Sequence, residues 1–182
     1  CRLGQNREKV VFGAGDPNAA VMVIGQGPSQ SDNGTGIPYS GPSGKVLDKG
    51  LAEVGLNRGK IWLTNVHKCL SYDIKNRKLR TPKADELAAC QPWLEAEIGL
   101  VAPKVIICLG GPAAQTIIGG RFKLNEQRGK WHTSKIGGVK TLATFQPAYL
   151  MRLKEWDRPK AVEGWHTFIA DLEKAVQGIE GT

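Results

Sequence analysis

Apolar runs suited to buried strands alternate along this chain with segments whose apolar residues recur at helical spacing. Three such runs lie at residues 19–27, 60–66 and 104–111, and a fourth, more polar strand segment spans residues 130–145. The last contains Gly137-Gly138, which predicts a hairpin that leads into a final core strand. Continuous apolar runs of this length are typical of parallel strands that are covered on both faces. The pattern therefore predicts a central, mostly parallel, four-stranded sheet.

The segments between these runs predict helices. Ser43 is positioned to cap a helix that extends to about Val54, and a longer helix begins near Pro82. A polar, basic loop precedes that longer helix, a short helix follows the third strand, and a last helix covers about residues 160–176. Strands that alternate with helices indicate an α/β fold with helices on both faces of the sheet. We expect a single domain over residues 1–182.

Candidate binding residues follow the strands directly, because ligands of parallel sheets bind at the carboxyl ends of the strands. The residues at these ends are Gly25, Gln26, Gly27, Asn65, Gly110, Gly111 and Gln146. Tyr39, in the loop after the first strand, can lean into the same crevice. Proteins hold a flipped-out base with an aromatic ring on its face and an amide at its Watson–Crick edge. This set of residues therefore predicts a base pocket.

The charge of the chain favours a nucleic-acid partner. Its 182 residues carry a formal net charge of +8, and 41% of them are hydrophobic, as in a globular protein. No apolar run approaches the ~18 residues that a membrane-spanning helix needs. The first residues also lack the apolar stretch of a signal peptide, so we expect a cytoplasmic protein without membrane contact.

The glycine-rich segment 34–45 raises the alternative of a phosphate-binding P-loop. That motif requires Gly-x-x-x-x-Gly-Lys followed by Ser or Thr, whose hydroxyl holds a magnesium ion. Here Tyr39 stands at the first glycine position and Val46 at the hydroxyl position. The segment is therefore not a P-loop.

Five blocks along the chain together carry a family resemblance. In order, they are VVFGAGDPNAAVMVIGQGP, TGIPYSGPSG, IWLTNVHKC, ELAACQPWLEAEIGLVAPKVIICLG and TFQPAYLMR. They resemble the successive motifs of the type-4 uracil-DNA glycosylases, the iron–sulfur branch of the uracil-DNA glycosylase superfamily. The resemblance implies a three-layer αβα sandwich. It also implies an enzyme that flips uracil out of DNA and hydrolyses its N-glycosidic bond.

The resemblance assigns roles to the pocket residues. Tyr39 corresponds to the family's aromatic ring, which stacks on the extruded uracil, and Asn65 corresponds to the asparagine that reads the base. Gly25 and Gly27 belong to the first motif, where glycine lets the backbone approach the substrate closely. We expect all four residues to bind the substrate.

Two catalytic positions depart from the family pattern. The first motif is usually Gly-Glu-x-Pro-Gly, but Gln26 replaces the glutamate, and Gln146 replaces the histidine of the final His-Pro motif. Gln146 can still donate a hydrogen bond to the departing base, although as a neutral group. Gln26 cannot act as a general base but can position a water, and Asp32 is the nearby carboxylate. We expect slower catalysis or a changed base preference.

The resemblance also implies a 4Fe-4S cluster, although the spacing of the cysteines alone indicates buried thiols. Cys1, Cys69 and Cys90 match three of the family's four cysteine ligands, and the fourth is expected before residue 1. Cys108 matches no ligand and is interpreted as a core thiol. The cluster would connect the N-terminus to the loop after the second strand and to the following helix.

Further contacts with DNA are expected around the pocket. Apolar side chains after the Gln-Pro turn can wedge into the base stack, and the basic loop and the glycine-rich loop can contact phosphates. The residues expected to contact DNA are Ser43, Arg77, Tyr149, Leu150 and Arg152.

Two other functions stay open at this point. A DNA-binding module would keep the base pocket but lose turnover through Gln26 and Gln146. An iron–sulfur electron-transfer protein fits less well, because the cysteines are scattered among base-reading motifs. The expected partner is DNA that contains uracil or a related deaminated base, bound by a monomer.

Overall fold

The computed structural model describes residues 1–5 and 7–180, except for the side chain of residue 180. The strands are β1 (Ala14–Gly15), β2 (Val21–Gly25), β3 (Ile61–Asn65), β4 (Tyr72–Asp73), β5 (Lys78–Leu79), β6 (Val105–Leu109), β7 (His132–Thr133) and β8 (Lys140–Thr144). The α-helices are α1 (Gln30–Thr35), α2 (Pro42–Glu53), α3 (Ala84–Val101), α4 (Gly111–Ile117), α5 (Leu124–Gln127), α6 (Pro147–Trp156) and α7 (Arg158–Glu180). Short 3-10 helices span Arg2–Gln5 and Arg58–Lys60.

The central sheet has the strand order β1-β3-β2-β6-β8-β7. Its four inner strands are parallel, and β1 and β7 are antiparallel edge strands of two residues each. The prediction of a mostly parallel sheet is confirmed, but the sheet has six strands rather than four. The predicted hairpin at Gly137-Gly138 accounts for β7, whereas β1, with two residues, is too short to produce an apolar run and was not predicted.

The side chains of the inner strands alternate between two cores. Val21 and Val23 face the first core, which α2, α6 and α7 cover, whereas Met22 and Ile24 face the second core, which α3 and α4 cover. All four side chains are fully buried, as the strictly alternating directions of strand residues require when both faces are covered. The fold is therefore the predicted αβα arrangement.

Three local predictions differ from the structure. Helix α2 begins at Pro42 with Gly41 as its N-cap, so Ser43 lies within the first turn and does not cap it. Proline is suited to this first position because its fixed φ matches the helix. The basic loop forms the antiparallel β4–β5 hairpin. The last helix begins earlier and ends later than the periodicity indicated, and α1 was not predicted.

The β7–β8 hairpin confirms the predicted turn. Gly137 and Gly138 have φ values of +72° and +65°, which glycine adopts without the clash of a Cβ atom. Within the described part of the chain, no helix is long and apolar enough to cross a membrane.

Candidate active site

The carboxyl ends of β2 and β3 bring three predicted pocket residues into contact. Gly25 and Asn65 are paired in the parallel ladder, so they lie side by side at the edge of the sheet. A Cβ atom at Gly25 would overlap the Tyr39 hydroxyl and lie 2.5 Å from Asn65 Oδ1. Only glycine therefore lets the ring and the amide approach each other at this point.

Asn65 is the most informative residue of this group. Its side chain is 1% exposed, and neither its Oδ1 nor its Nδ2 has a hydrogen-bond partner within the described residues. Buried side-chain amides are nearly always hydrogen-bonded, because the loss of water is otherwise uncompensated. A donor and an acceptor that are buried and unpaired in the free protein are suited to a ligand that supplies both partners.

Tyr39 reaches the pocket from a backbone conformation that is unusual for its type. Its φ is +54°, in the left-handed region, where residues with a Cβ atom are disfavoured. The side chain is buried, and burial together with the charge of Asp32 raises the pKa of the Tyr39 hydroxyl. The hydroxyl is therefore protonated at neutral pH, and the ring is a neutral stacking surface.

Asp32, a predicted catalytic residue, is bonded to its own loop. Its Oδ1 accepts hydrogen bonds from the Ser40 backbone N–H at 2.7 Å and the Ser40 hydroxyl at 2.9 Å. Its Oδ2 accepts from the Ser29 N–H at 2.9 Å, which completes the capping box of α1. Asp32 thus holds the loop next to Tyr39, an organising role that sequence reasoning missed.

Gln26 and Gln146, the two departures from the family pattern, lie at the ends of two inner strands and are both half-buried. Gln146 is the N-cap of α6, but its side chain does not cap that helix. The Gly110 backbone lies close to the Gln146 side chain: a Cβ atom at position 110 would lie 3.2 Å from Gln146 Cβ. A groove of about 240 Å³ next to Gln146 is lined by Gly110, Asn125 and Tyr149, among others.

A buried ion pair beneath the pocket was not predicted from the sequence. Lys68 is 2% exposed, and its Nζ donates to Glu97 Oε2 at 2.6 Å, to Thr64 Oγ1 at 2.7 Å and to the Asn65 carbonyl at 2.8 Å. Burial lowers the pKa of Lys68, and the Glu97 carboxylate opposes that shift. The pair fixes the backbone that carries Asn65. The sequence signal was a lysine three residues after the end of the buried strand β3.

His67 also packs behind the first motif. A Cβ atom at Gly27 would overlap its ring, and its Nδ1 donates to the Cys69 carbonyl at 2.8 Å. Burial lowers the pKa of His67, so the ring is neutral at physiological pH. The ring links the predicted substrate-binding loop to the segment that carries Cys69.

The chain segments that carry the candidate cluster ligands adjoin one another. Arg7 Nη1 donates to Cys69 Sγ at 3.2 Å, and Arg2 forms an ion pair with Asp85, in the first turn of the helix that contains Cys90. The thiols of Cys69 and Cys90 are buried and that of Cys1 is exposed. Thiolates have the right chemistry for an iron–sulfur cluster. However, no three His, Cys, Asp or Glu residues in the described ranges form a metal-binding group.

Cys108 is separate from these cysteines. It lies on β6 and is fully buried in the second core. Burial raises the pKa of its thiol, which keeps the group protonated and unreactive. The interpretation of Cys108 as a core thiol is confirmed.

The residues expected to contact DNA fall into separate regions. Ser43 and Arg77 line one groove of about 320 Å³, which separates the start of α2 from the β4–β5 hairpin. Tyr149 and Arg152 are exposed on α6, and the Tyr149 ring lies against Phe145 with 5.2 Å between centroids. Leu150 is only 5% exposed and belongs to the first core. Leu150 therefore packs in the core, whereas the predicted contact with DNA requires a side chain that faces solvent.

Together, the fold and the pocket place this chain among α/β proteins whose candidate ligand site lies at the carboxyl edge of a parallel sheet. Comparison with known proteins gives the family. The chain matches the model of the uracil DNA glycosylase superfamily over residues 12–169. It therefore belongs to the uracil-DNA glycosylase superfamily, as the resemblance of its motifs predicted.

Individual relatives agree with this assignment. A type-4 uracil-DNA glycosylase of Thermotoga maritima is 33% identical over 184 residues, which cover 99% of this chain and 88% of the relative. A type-4 uracil-DNA glycosylase of Pyrobaculum aerophilum is 34% identical over 158 residues, which cover 84% of this chain and 78% of the relative. The solution structure of a candidate uracil DNA glycosylase from Methanosarcina acetivorans has a TM-score of 0.51 at 14% identity, covering 90% of this chain and 98% of that one. That last likeness concerns the fold alone.

Proposed function

We propose that this protein excises uracil, or a related deaminated base, from DNA by hydrolysing the N-glycosidic bond. The observation that carries the proposal is the buried Asn65 amide, which has no partner in the described part of the chain and lies beside the Tyr39 ring. Family membership and the names of the type-4 relatives support the same reaction. An amide that is already desolvated in the free protein pairs with a flipped base without a further desolvation penalty.

The chemistry of Asn65 suits the edge of uracil. Uracil presents one donor, N3–H, next to the O4 acceptor, and the amide offers Oδ1 and Nδ2 as the complementary pair. A cytosine in the same pose would present an acceptor at position 3 and a donor at position 4. Lys68 holds the backbone that carries Asn65. In the amide orientation that pairs with uracil, cytosine presents a mismatch at both positions, which disfavours it.

The leaving group and the attacking water require two further roles. We propose that Gln146 donates an N–H to the departing base as negative charge develops, and that Gln26 orients a water. A preorganised donor of this kind contributes about 3–4 kcal/mol to transition-state stabilisation in other enzymes. Because Asp32 is occupied by Ser29 and Ser40, its proposed contribution to catalysis is limited to the remaining lone pair of Oδ2.

We propose that DNA backbone phosphates bind in the groove that Ser43, Arg77 and Lys78 line. Arg77 and Lys78 lie at the tip and on the second strand of the basic hairpin, and both are exposed. Tyr149 and Arg152 would meet the strand on the other side of Gln146. Each phosphate that is neutralised releases counterions, so removal of one cation reduces the slope of log K against log salt by roughly one. We propose that one chain, as a monomer, makes all of these contacts.

The reaction is tested with a short DNA duplex that contains one uracil. The protein is incubated with the labelled duplex, and alkali then cleaves the strand wherever a base has been removed. We expect cleavage at the uracil and none in the matched duplex with thymine. A gel shift of the uracil duplex without alkali-dependent cleavage would contradict the proposal, and it would support the alternative of a DNA-binding module without turnover.

We further propose that Cys1, Cys69 and Cys90, with one more ligand, hold a 4Fe-4S cluster. When bound, the cluster supplies a covalent crosslink between the N-terminal segment, the loop after β3 and α3. Anaerobically purified protein should contain about four iron atoms per chain and absorb broadly near ~400 nm. Cys69→Ser should lose iron and colour, whereas Cys108→Ser, a change at another buried cysteine, should retain both. Iron-free, fully stable wild-type protein would show that no cluster is held.

A further inference from the structure

The conformation of Tyr39 needs a physical cause. Among the described residues, Tyr39, Arg77 and Ala102 are the three non-glycine residues with positive φ, and Tyr39 is the one at the base pocket. Backbone strain of this kind persists only where the surrounding structure fixes it. A tyrosine that was free to relax would return to negative φ and turn its ring away from Gly25. Some group must therefore hold the backbone around Tyr39.

Arg58 is the group that does so. Its Nη1 donates to the Pro38 carbonyl at 2.9 Å, and its Nη2 donates to the Tyr39 carbonyl at 2.6 Å. Its Nε donates to Asp48 Oδ1 at 2.7 Å, so the guanidinium plane is itself anchored to α2. A rigid planar fork fixes the positions of two acceptors relative to each other, whereas an ammonium binds acceptors from one nitrogen on a flexible stem without a set plane. Arg58 thus sets the orientation of two successive carbonyls around Tyr39.

Two neighbouring residues support the contact between Arg58 and the Tyr39 carbonyl. A Cβ atom at Gly44 would overlap the Tyr39 carbonyl and approach Arg58 Nη2 to 2.9 Å, so the glycine leaves space for the fork. On the other side, Asp32 holds the backbone N–H of Ser40. Residues 38–40 are therefore held on both sides. Among the hydrogen bonds of the described residues, the one that reaches the carbonyl of Tyr39 comes from Arg58.

We propose that Arg58 is a positioning residue for base excision: it holds Tyr39 in the left-handed conformation that directs the ring to the base. Arg58 does not line the pocket and acts only through the ring. The inference rests on the proposed stacking role of Tyr39, and its test separates the two.

The test compares Arg58→Lys in two backgrounds. Lysine keeps a positive charge near Asp48, but its single nitrogen lacks the planar fork that holds the two carbonyls and Asp48 in one fixed geometry. In the wild-type background we expect the single-turnover excision rate to fall about tenfold, with less than about twofold change in affinity for DNA. In the Tyr39→Ala background, the same change should lower the rate less than about twofold, because no ring remains to be positioned.

The matched control is Lys60→Gln. Lys60 lies in the same 3-10 helix, and its ammonium also donates to a loop carbonyl, that of Gly55 at 3.2 Å, but away from Tyr39. We expect wild-type rates. A readout independent of activity is amide hydrogen exchange of the peptide 35–44, which should become faster in Arg58→Lys and stay unchanged in Lys60→Gln.

Three outcomes would overturn the inference. In the first, Arg58→Lys reacts and exchanges like wild type. In the second, it lowers the rate by the same factor in both backgrounds, which would indicate general destabilisation. In the third, Tyr39→Ala alone reacts like wild type, which removes the stacking role and the inference together. If Arg58→Lys does not fold, Asp48→Ala, which removes the acceptor of Arg58 Nε, replaces it, with a smaller rate loss expected only when Tyr39 is present.

Discussion

Replacement of Asn65 by leucine should make the protein more stable and inactive at the same time. The Asn65 side chain is 1% exposed, and both amide atoms lack partners among the described residues. An unpaired buried polar group destabilises a fold by about 1–3 kcal/mol. Leucine has a similar volume and no polar atoms, so the free energy of unfolding should rise by about 1–3 kcal/mol. For a chain of this length, each kcal/mol raises Tm by roughly 2–4 °C.

The excision rate should change in the opposite direction. Leucine cannot pair with the edge of a flipped base, and loss of one preorganised hydrogen-bonding group in an active site typically lowers the rate by about 100- to 1000-fold. Single-turnover excision on the uracil duplex measures this loss, and urea denaturation measures stability. Affinity for undamaged DNA should be nearly unchanged, because phosphate contacts supply most non-specific binding.

Asn33→Leu is the matched control. Asn33 is also buried, at 4% exposure, but its Oδ1 accepts a hydrogen bond from the Glu8 backbone N–H at 3.0 Å. Removal of a partnered amide should lower stability and leave the excision rate close to wild type. If Asn65→Leu were destabilised as much as Asn33→Leu, Asn65 would be a structural residue. If it were stable and still active, Asn65 would not read the base.

Three further predictions concern catalysis, the buried ion pair and acid stability. Gln146→His restores the histidine of the family motif, and the single-turnover rate on uracil should rise about tenfold if ~1.4 kcal/mol of transition-state stabilisation is recovered, whereas Gln146→Ala should lower it. Wild-type rates in both variants would remove Gln146 from catalysis. Lys68→Met removes the cation that pairs with the Glu97 carboxylate, so the free energy of unfolding, measured by urea denaturation, should fall by about 3–5 kcal/mol. The added change Glu97→Gln should restore part of this loss. Equal losses in the single and double variants would argue against this pairing. Arg80 lowers the pKa of Glu86 from its ordinary 4.5 to about 2, so this pair stabilises the fold above pH 4.5 and its contribution disappears as the pH falls towards 2. Glu86→Gln should therefore flatten the acid limb of a Tm-against-pH curve, and an identical limb would disprove the assignment.

The sequence alone determined the elements that are buried on both sides. The runs that became β2 and β6 are continuously apolar, and such runs are stable only inside a covered sheet, whereas β3 and β8 mix apolar residues with buried threonines. Their order, alternating with helices, indicated the parallel sheet, and the carboxyl-edge rule then indicated Gly25, Asn65 and Gln146 as neighbours of a ligand. The family resemblance was confirmed by the match over residues 12–169. The individual roles in catalysis, DNA binding and cluster binding stay predictions.

The tertiary structure alone decided how polar residues are used. Lys68 and Glu97 are 29 residues apart, and each would be assigned to the surface by its type, yet they pair in the interior. Arg58 donates to the carbonyls of Tyr39 and Pro38, which lie 19 and 20 residues before it. Asp32 accepts from the Ser40 backbone N–H, although aspartate side chains are mostly solvated. Hydrophobic burial is local and periodic, so a one-dimensional pattern records it. A hydrogen bond or an ion pair depends on where two distant segments meet, and only the folded chain specifies that distance.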